Sequence, residues 1–217
     1  MNITLQKKIA AASMAVMLAL LSGCSYDIPQ GYTKKLHEYD AAVEYARSID
    51  PEAKVSSDCE DKEEQTRKFR IWPAVINGVE CSVASVATNV YNKGWAAGEF
   101  PVRYYRLDTD YDYYVVKDVL KSHPEMGELN EPTLWSRYEG DDLITSRIKK
   151  DDITTEEIDA LWDKYRQVNK ELEAYPVHKR FSLWVTLPNN YFVFKDGSEE
   201  EYLKVREKLV NAGILDS

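Results

Sequence analysis

Three aspartates occur at alternate positions in the stretch 103–116 (RYYRLDTDYDYYVV): Asp108, Asp110 and Asp112. An EF-hand calcium loop takes oxygen ligands from positions 1, 3 and 5, a glycine at position 6 and a chelating glutamate at position 12. Counted from Asp108, positions 6 and 12 are Tyr113 and Val119, so the tight turn and the last ligand are missing. The pattern instead favours a strand that ends near Leu107, followed by a helix that Asp108 or Asp110 caps and whose positive N-terminus the remaining aspartates stabilise.

Aromatic residues surround the same stretch and offer a second kind of chemistry, which is contact with a partner. Trp95 and Phe100 lie in the segment NKGWAAGEF, and Tyr104 and Tyr105 follow on a predicted strand. Adjacent strand residues point to opposite faces of a sheet, so we expect one of the two tyrosines to face solvent. Exposed aromatic side chains can contact a peptide, a glycan or a protein. The alternative is that the rings pack on the sheet and only the hydroxyls reach water.

The sequence lacks the common motifs for catalysis and for cofactor binding. The three histidines, His37, His123 and His178, do not have H-E-x-x-H spacing, and the G-x-S-x-G, P-loop and G-x-G-x-x-G patterns do not occur. With 37 aspartates and glutamates in the chain, no single pair of carboxylates stands out. We therefore predict no catalytic, cofactor-binding or metal-binding residues, and we keep a carboxylate-based hydrolase as an alternative.

The elements that must position these residues follow from the hydrophobic periodicity. In RKFRIWPAVINGVECSVASVATNVY, Asn77-Gly78 separates two apolar, β-branched runs, which predicts a hairpin with a type I′ turn. Pro73 has no N–H, so its strand is expected to lie at an edge or to bulge there. The charge-rich segment 58–65 is predicted to be a surface loop. Beyond the aspartates the period becomes three or four residues, which predicts a helix that ends before Pro124.

The second half of the chain contains clearer signals. Thr154 and Glu157 form a capping box, which predicts the start of a long helix. RFSLWVTLP alternates apolar and polar residues, and we expect it to form a hairpin with NYFVFKD across Pro188-Asn189. Ser198 is predicted to cap the last helix.

Together these elements predict an α+β protein in which helices pack on antiparallel sheets, in the order α-β-β-β-β-α and then β-α-β-β-α. The predicted organisation is a signal peptide at 1–23, a tether at 24–33, an N-terminal α+β subdomain at 34–124, a linker at 125–141 and a C-terminal α+β subdomain at 142–217. The two subdomains can equally form one continuous domain.

The N-terminus indicates where the protein acts. Lys7 and Lys8 precede an apolar run, Ile9 to Leu21, that fits a signal h-region and is shorter than the roughly 20 residues of a membrane-spanning helix. The run ends in Leu21-Ser22-Gly23-Cys24, which resembles the lipobox of bacterial lipoproteins. This resemblance implies cleavage before Cys24, a diacylglyceryl group on its thiol, and anchoring to the cell membrane or the outer membrane, outside the cytoplasm. An ordinary signal peptide and an uncleaved anchor are the alternatives.

The net charge of the chain limits the kinds of partner that it is expected to bind. The formal net charge of −9 repels nucleic acid and anionic headgroups, so nucleic-acid binding is not expected and membrane attachment must come from lipid.

Cys59 and Cys81 are not in a C-x-x-C pair. Outside the cytoplasm they can form a disulfide, and one buried thiol with one exposed thiol is the other interpretation.

Residues 36–90 carry a second resemblance. A helix in AAVEYARSIDPEAKV, then a strand, an acidic loop and a hairpin ending in VECSVASV, is similar to the PepSY domain. That resemblance implies a small extracytoplasmic module associated with protease inhibition or regulation. The D-x-x-x-G turn that usually ends the family pattern is missing here.

From these observations we predict a non-catalytic envelope protein that acts by binding, as a sensor, inhibitor or adaptor. Its expected partner is another envelope protein or a peptide, contacted by the surface from Trp95 to Tyr105. One alternative is an immunity-type lipoprotein whose acidic surface neutralises a basic toxin. The other is an envelope hydrolase that uses carboxylates.

Overall fold

A computed structural model describes residues 31–64, 67–94, 98–138 and 143–215, with the backbone alone described at 89–94, 98–102, 135 and 136. In the first half of the chain the elements are α1 (Tyr39–Ile49), β1 (Lys54–Val55), β2 (Glu60–Glu64), β3 (Arg67–Ile76), β4 (Val79–Gly94), β5 (Gly98–Thr109) and α2 (Tyr111–Leu120). In the second half they are a 3₁₀ turn (Pro124–Met126), β6 (Glu128–Leu129), α3 (Leu134–Tyr138), β7 (Leu143–Lys149), α4 (Thr155–Leu172), β8 (Arg180–Leu187), β9 (Asn190–Phe194) and α5 (Glu199–Asn211). The chain therefore has the predicted α+β class.

The first sheet has the order β1-β3-β4-β5, and β2 also pairs with β3, with every pairing antiparallel. The turn between β3 and β4 has φ of 48° at Asn77 and 76° at Gly78, which confirms the predicted hairpin. The prediction of a surface loop at 58–65 is wrong, because residues 60–64 form β2. Its backbone pairs with β3 while its charged side chains stay largely in solvent, and Asp61 accepts hydrogen bonds from Arg70.

Pro73 lies in an interior strand, and the pairing of its neighbours accommodates the missing N–H. β2 pairs with residues 67–71 of β3, and β1 pairs with Ala74 and Val75 on the same side. Pro73 falls between these two pairings, where its carbonyl accepts the Ser56 N–H at 2.8 Å. No ladder hydrogen bond is therefore required of its nitrogen.

The second sheet has the order β6-β7-β8-β9. β8 and β9 form the predicted hairpin across Pro188-Asn189, with Leu187 opposite Asn190. β7 and β8 are parallel, which differs from the purely antiparallel expectation. The reason is that α4 lies between them in sequence and carries the chain back before β8 begins. The capping box of α4, Thr154 with Glu157, is present as predicted.

One hydrophobic core connects the two halves of the chain. α2 packs both on β4 of the first sheet and on α4, which lies with α5 against the inner face of the second sheet. Buried core residues on the two sides of segment 125–141 include Ala46, Trp72, Val83, Val116, Ile158, Tyr165, Leu183, Phe194 and Leu209. A smaller cluster of Phe69, Ala84, Val86 and Tyr138 lies on the opposite face of the first sheet, under α3.

Candidate functional site

The three alternating aspartates are tertiary crosslinks. Asp108 accepts hydrogen bonds from Arg106 (2.9 Å) and from the Thr109 N–H (2.8 Å). Asp112 accepts the backbone N–H groups of His178 (2.9 Å) and Lys179 (2.7 Å), which precede β8. Donors of the protein therefore occupy an oxygen of each carboxylate, while Asp112 Oδ1 is buried without a hydrogen-bond partner among the described residues. No cluster of three or more metal-ligating side chains occurs in 31–64, 67–94, 98–138 or 143–215.

Asp110 stands at the N-cap position of α2 but does not cap the helix with its side chain. Its carboxylate instead accepts the Ser82 N–H at 2.6 Å and the Ser82 hydroxyl at 2.8 Å, and so ties the start of α2 to β4. Asp110 is 2% exposed, and burial raises the pKa of its carboxyl, against the opposing effects of Ser82 and of Arg137. The predicted helix-capping role is thus replaced by a buried polar contact.

The short helix α3 is fixed at its C-terminus by two cations. Lys179 donates to the Arg137 carbonyl (2.9 Å), and Arg106 donates to the Tyr138 carbonyl (2.9 Å). The last carbonyls of a helix have no partner within the helix and carry partial negative charge, so both contacts are favourable. The Tyr138 hydroxyl lies 2.6 Å from the Ser82 hydroxyl, which docks α3 on β4.

An open groove of about 620 Å³ begins where α3 leaves the first sheet uncovered. Its floor comes from cross-strand pairs of β3 and β4, Pro73 with Ser82 and Val75 with Glu80. Its walls are Tyr114 of α2 and Arg137 of α3, and its rim includes Lys54, Val55 and Ser56. Asp110 lies among these lining residues, 3.7 Å from the Arg137 guanidinium. The groove therefore has a mixed floor, in which Pro73 and Val75 are apolar and Ser82 and Glu80 are polar, and an ion pair between Asp110 and Arg137 at one wall.

Neither Cys59 nor Cys81 supplies a reactive or bonded group at this groove. Cys59 and Cys81 are both free, so the disulfide considered from the sequence is not formed. Cys59 directly precedes β2 and Cys81 lies on β4, on opposite sides of β3, which separates them by about two strand spacings of 4.8 Å. This exceeds the roughly 7 Å limit between Cα atoms of a disulfide. Burial and the nearby Asp110 charge raise the pKa of the Cys81 thiol to about 12.

The four aromatic residues proposed as contacts have different positions. Trp95 and the side chain of Phe100 lie outside the described part of the structure. Tyr104 is fully buried and is therefore not available to a partner, which corrects the expectation for this residue. Tyr105 is half-buried, and its N–H and carbonyl both pair with Thr33 at 2.8 Å. Tyr104 is buried because its side chain takes the face of the sheet under α3, the face that also carries Ala84 and Val86.

Cys24, the expected lipidation site, also lies outside the described residues. Within the part of the chain that the structure describes, no helix is long and apolar enough to cross a membrane. Ser82 and Arg137 were not singled out from the sequence, because neither belongs to a motif and α3 is too short to show a period. Only their partner Asp110 was visible in the sequence pattern.

Comparison with protein-family models, curated proteins and solved structures found no match to this chain. The lipobox and PepSY resemblances therefore stay predictions from sequence.

Proposed function

We propose that this chain is a lipid-anchored extracytoplasmic protein of the bacterial envelope that acts by binding an extended segment of another envelope protein. The h-region followed by Leu21-Ser22-Gly23-Cys24 supports the location. The groove beside α3 supports the binding role and replaces the Trp95–Tyr105 surface as the proposed contact site. No catalytic step is part of this proposal.

The observation that carries the proposal is a partly apolar sheet face left open next to a covered one. α3 covers the Phe69 end of this face, whereas Val75 at the other end is 37% exposed on the groove floor. Pro73 and the Tyr114 ring extend this apolar surface, and charged groups lie at its edges. Apolar floors with a few polar groups at the edges are typical of sites that bind a ligand or peptide.

The hydrolase alternative has less support from the groove. A buried carboxyl with a raised pKa is a feature of catalytic acids, and Asp110 has it. Both of its oxygens, however, accept hydrogen bonds from Ser82, and Arg137 lies beside one of them. A general acid must reach the substrate, and this carboxyl is committed to holding α2 on β4.

The binding site is tested by crosslinked pull-down of the full-length chain from its own host, followed by mass spectrometry. We expect Val75→Glu to lose the captured partner, because it places a charge on the apolar floor of the groove. Leu203→Glu is the matched control, since Leu203 is an apolar residue on α5, 55% exposed and away from the groove. Thermal unfolding must show that both variants fold. Equal capture by the wild type and Val75→Glu would reject the groove as the contact site.

The location is tested separately by the intact mass of the protein purified from the same host. We expect a chain that begins at Cys24 and carries acyl groups. An unprocessed, unacylated N-terminus would contradict the envelope assignment, whatever the pull-down shows.

A further inference from the structure

A second cavity lies on the outer face of the second sheet. Helices α4 and α5 pack on the inner face of this sheet, and Arg147 and Trp184 occupy outer positions on β7 and β8. The loop at 130–133 and helix α3 partly cover the outer face and leave a cavity of about 370 Å³. This volume lies at the small end of ligand sites, which range from about 300 to 1,000 Å³.

The lining of this cavity has the opposite charge to the protein. Arg137, Arg147 and Lys179 line it, and Glu131 is the one carboxylate among its described lining residues. The described lining residues therefore carry a formal charge of about +2, while the whole chain carries −9. Positive charge gathered in a concave site of an acidic protein raises the local concentration of anions.

By comparison, the groove described above is lined by equal numbers of positive and negative side chains. Its cations Lys54 and Arg137 are matched by Glu80 and Asp110. Arg137 lines both cavities, so the remaining residues decide which one favours an anion. Because Arg147 and Lys179 lie in the second cavity, that cavity is favoured.

The Arg137 guanidinium has hydrogen-bonding capacity to spare. A guanidinium carries five N–H donors, and the Arg137 Nε is buried without a hydrogen-bond partner among the described residues. Its ion pair with Asp110, at 3.7 Å, is longer than a hydrogen bond. Buried donors are normally paired, so an acceptor from a bound anion would complete this site.

The aromatic part of the cavity is held in place. Trp184 stacks on Tyr191 with ring centroids 4.9 Å apart and an interplanar angle of 17°. The Arg147 guanidinium lies 5.5 Å from the centre of the Trp184 ring. Tyr113 and Leu143 add apolar surface to the lining. A cation is thus positioned beside an apolar wall, which suits a ligand that joins an anionic group to an organic part.

We propose that this cavity binds the phosphate monoester of a small organic molecule. Arg137, Arg147 and Lys179 contact the phosphate, and Trp184 and Tyr113 contact the organic part. A phosphate monoester carries about −1.5 to −2 charges at pH 7, which matches the lining better than a single carboxylate does. Planar guanidinium groups also pair with phosphate through two parallel hydrogen bonds. This site shares Arg137 with the groove, but Arg147, Lys179 and Trp184 line this cavity alone, so the proposal does not depend on the proposed function.

The test is isothermal titration calorimetry with phenyl phosphate, inorganic phosphate and phenol as probes. We expect phenyl phosphate to bind more tightly than either of its parts. Arg147→Gln removes one charged donor and should weaken phenyl phosphate binding by about tenfold to a hundredfold. Lys149→Gln is the matched control, because Lys149 is an exposed cation two residues further along β7 that does not line the cavity. The control should bind as the wild type does.

Two further probes separate the sources of phosphate and the type of anion. Binding to vesicles that contain phosphatidic acid, whose headgroup is a phosphate monoester, would support the site and identify a lipid headgroup as the source, provided that Arg147→Gln weakens it and that it is absent with phosphatidylcholine vesicles. Succinate binding as tightly as phenyl phosphate would overturn the phosphate assignment. Equal weakening by Arg147→Gln and Lys149→Gln would indicate non-specific charge attraction and overturn the site. No binding of any phosphate probe at millimolar concentration would overturn it as well.

Discussion

The structure predicts a large loss of stability when Gly127 is replaced. It links the 3₁₀ turn to β6 with φ of 75° and ψ of −168°, a conformation that is essentially restricted to glycine. A Cβ at this position would lie 2.2 Å from the Arg147 carbonyl oxygen and 2.9 Å from Ile148 Cγ1. Alanine therefore meets both backbone strain and a collision with the backbone of β7, which cannot rotate away.

Backbone strain and the collision together set the loss of stability expected for Gly127→Ala. Residues held in such a region cost about 1–3 kcal/mol, and forcing extra volume into a packed site costs about another 1–3 kcal/mol. Gly78→Ala is the matched control, because Gly78 has nearly the same φ, 76°, and nothing within 4 Å of its added Cβ. The free energy of unfolding of Gly78→Ala should fall only by the cost of holding alanine in a left-handed conformation, about 1–2 kcal/mol.

Urea unfolding followed by circular dichroism measures both variants. We expect Gly127→Ala to lose at least about 2 kcal/mol more of the free energy of unfolding than Gly78→Ala does, with an unchanged denaturant slope. The same variant should weaken phenyl phosphate binding, since the collision moves the strand that carries Arg147. Equal losses at the two glycines would refute the close approach of residue 127 to β7.

Two other predictions concern reactivity and pH. Iodoacetamide at pH 8 should alkylate Cys59 at least about a hundredfold faster than Cys81, because burial and Asp110 raise the pKa of the Cys81 thiol to about 12; similar rates by peptide mass spectrometry would contradict this. Burial raises the pKa of Asp110, so the folded state binds the proton of this carboxyl more tightly than the unfolded state does. The stability that the bound proton contributes is therefore lost as pH rises through the folded pKa. The unfolding free energy of the wild type relative to Asp110→Asn should therefore fall as pH rises from about 4. The Arg70 hydrogen bond lowers the pKa of Asp61, so the unfolding free energy of the wild type relative to Asp61→Asn should rise as pH rises toward about 4, and a fall in that range would reject the assignment.

Local signals account for the elements that the sequence predicted well. The Asn77-Gly78 turn, the Thr154–Glu157 capping box and the hairpin across Pro188-Asn189 each depend on residues adjacent in sequence, whose preferred dihedral angles or hydrogen bonds fix the backbone. Such features need no knowledge of the rest of the fold.

The errors arise where distant partners override local preference. Residues 60–64 are too charged to predict a strand, yet β3 supplies the hydrogen bonds and Arg70 supplies a partner for Asp61. The parallel pairing of β7 with β8 is likewise set by how α4 packs, which periodicity does not encode. A helix-capping role for Asp110 was reasonable from its position, but Ser82 lies 28 residues away in sequence and takes both carboxylate oxygens.

The candidate sites were harder to predict than the fold for the same reason. Arg137 lies in LWSRY, a stretch too short to show a period, and its importance comes from Asp110 and from two cavities that tertiary packing creates. The cation cluster with Lys179 and Arg147 joins three segments that are separate in sequence. Charge counting over the whole chain, which is acidic, points away from an anion site.

The free edges of the sheets bear on how a partner can bind. At the edge strand β9, the Tyr191 carbonyl accepts the Lys208 ammonium at 2.5 Å. Just beyond the strand, the Glu201 carboxylate accepts the Lys195 N–H at 2.8 Å. Side chains of α5 thus occupy backbone groups that an added strand would need. Native proteins protect edge strands in this way against uncontrolled pairing.

The edge strands of the first sheet are protected by other means. β2 presents four acidic side chains and a lysine in five residues. On β5 the backbone of Tyr105 already pairs with Thr33, and Pro101, four positions away on the same edge, has no N–H to donate. Strand addition is therefore disfavoured at each of these edges. Side chains form two concave surfaces that meet at Arg137, an open groove with apolar residues on its floor and a cationic cavity. Their different chemistry is the reason for assigning a peptide segment to the first and a small anion to the second.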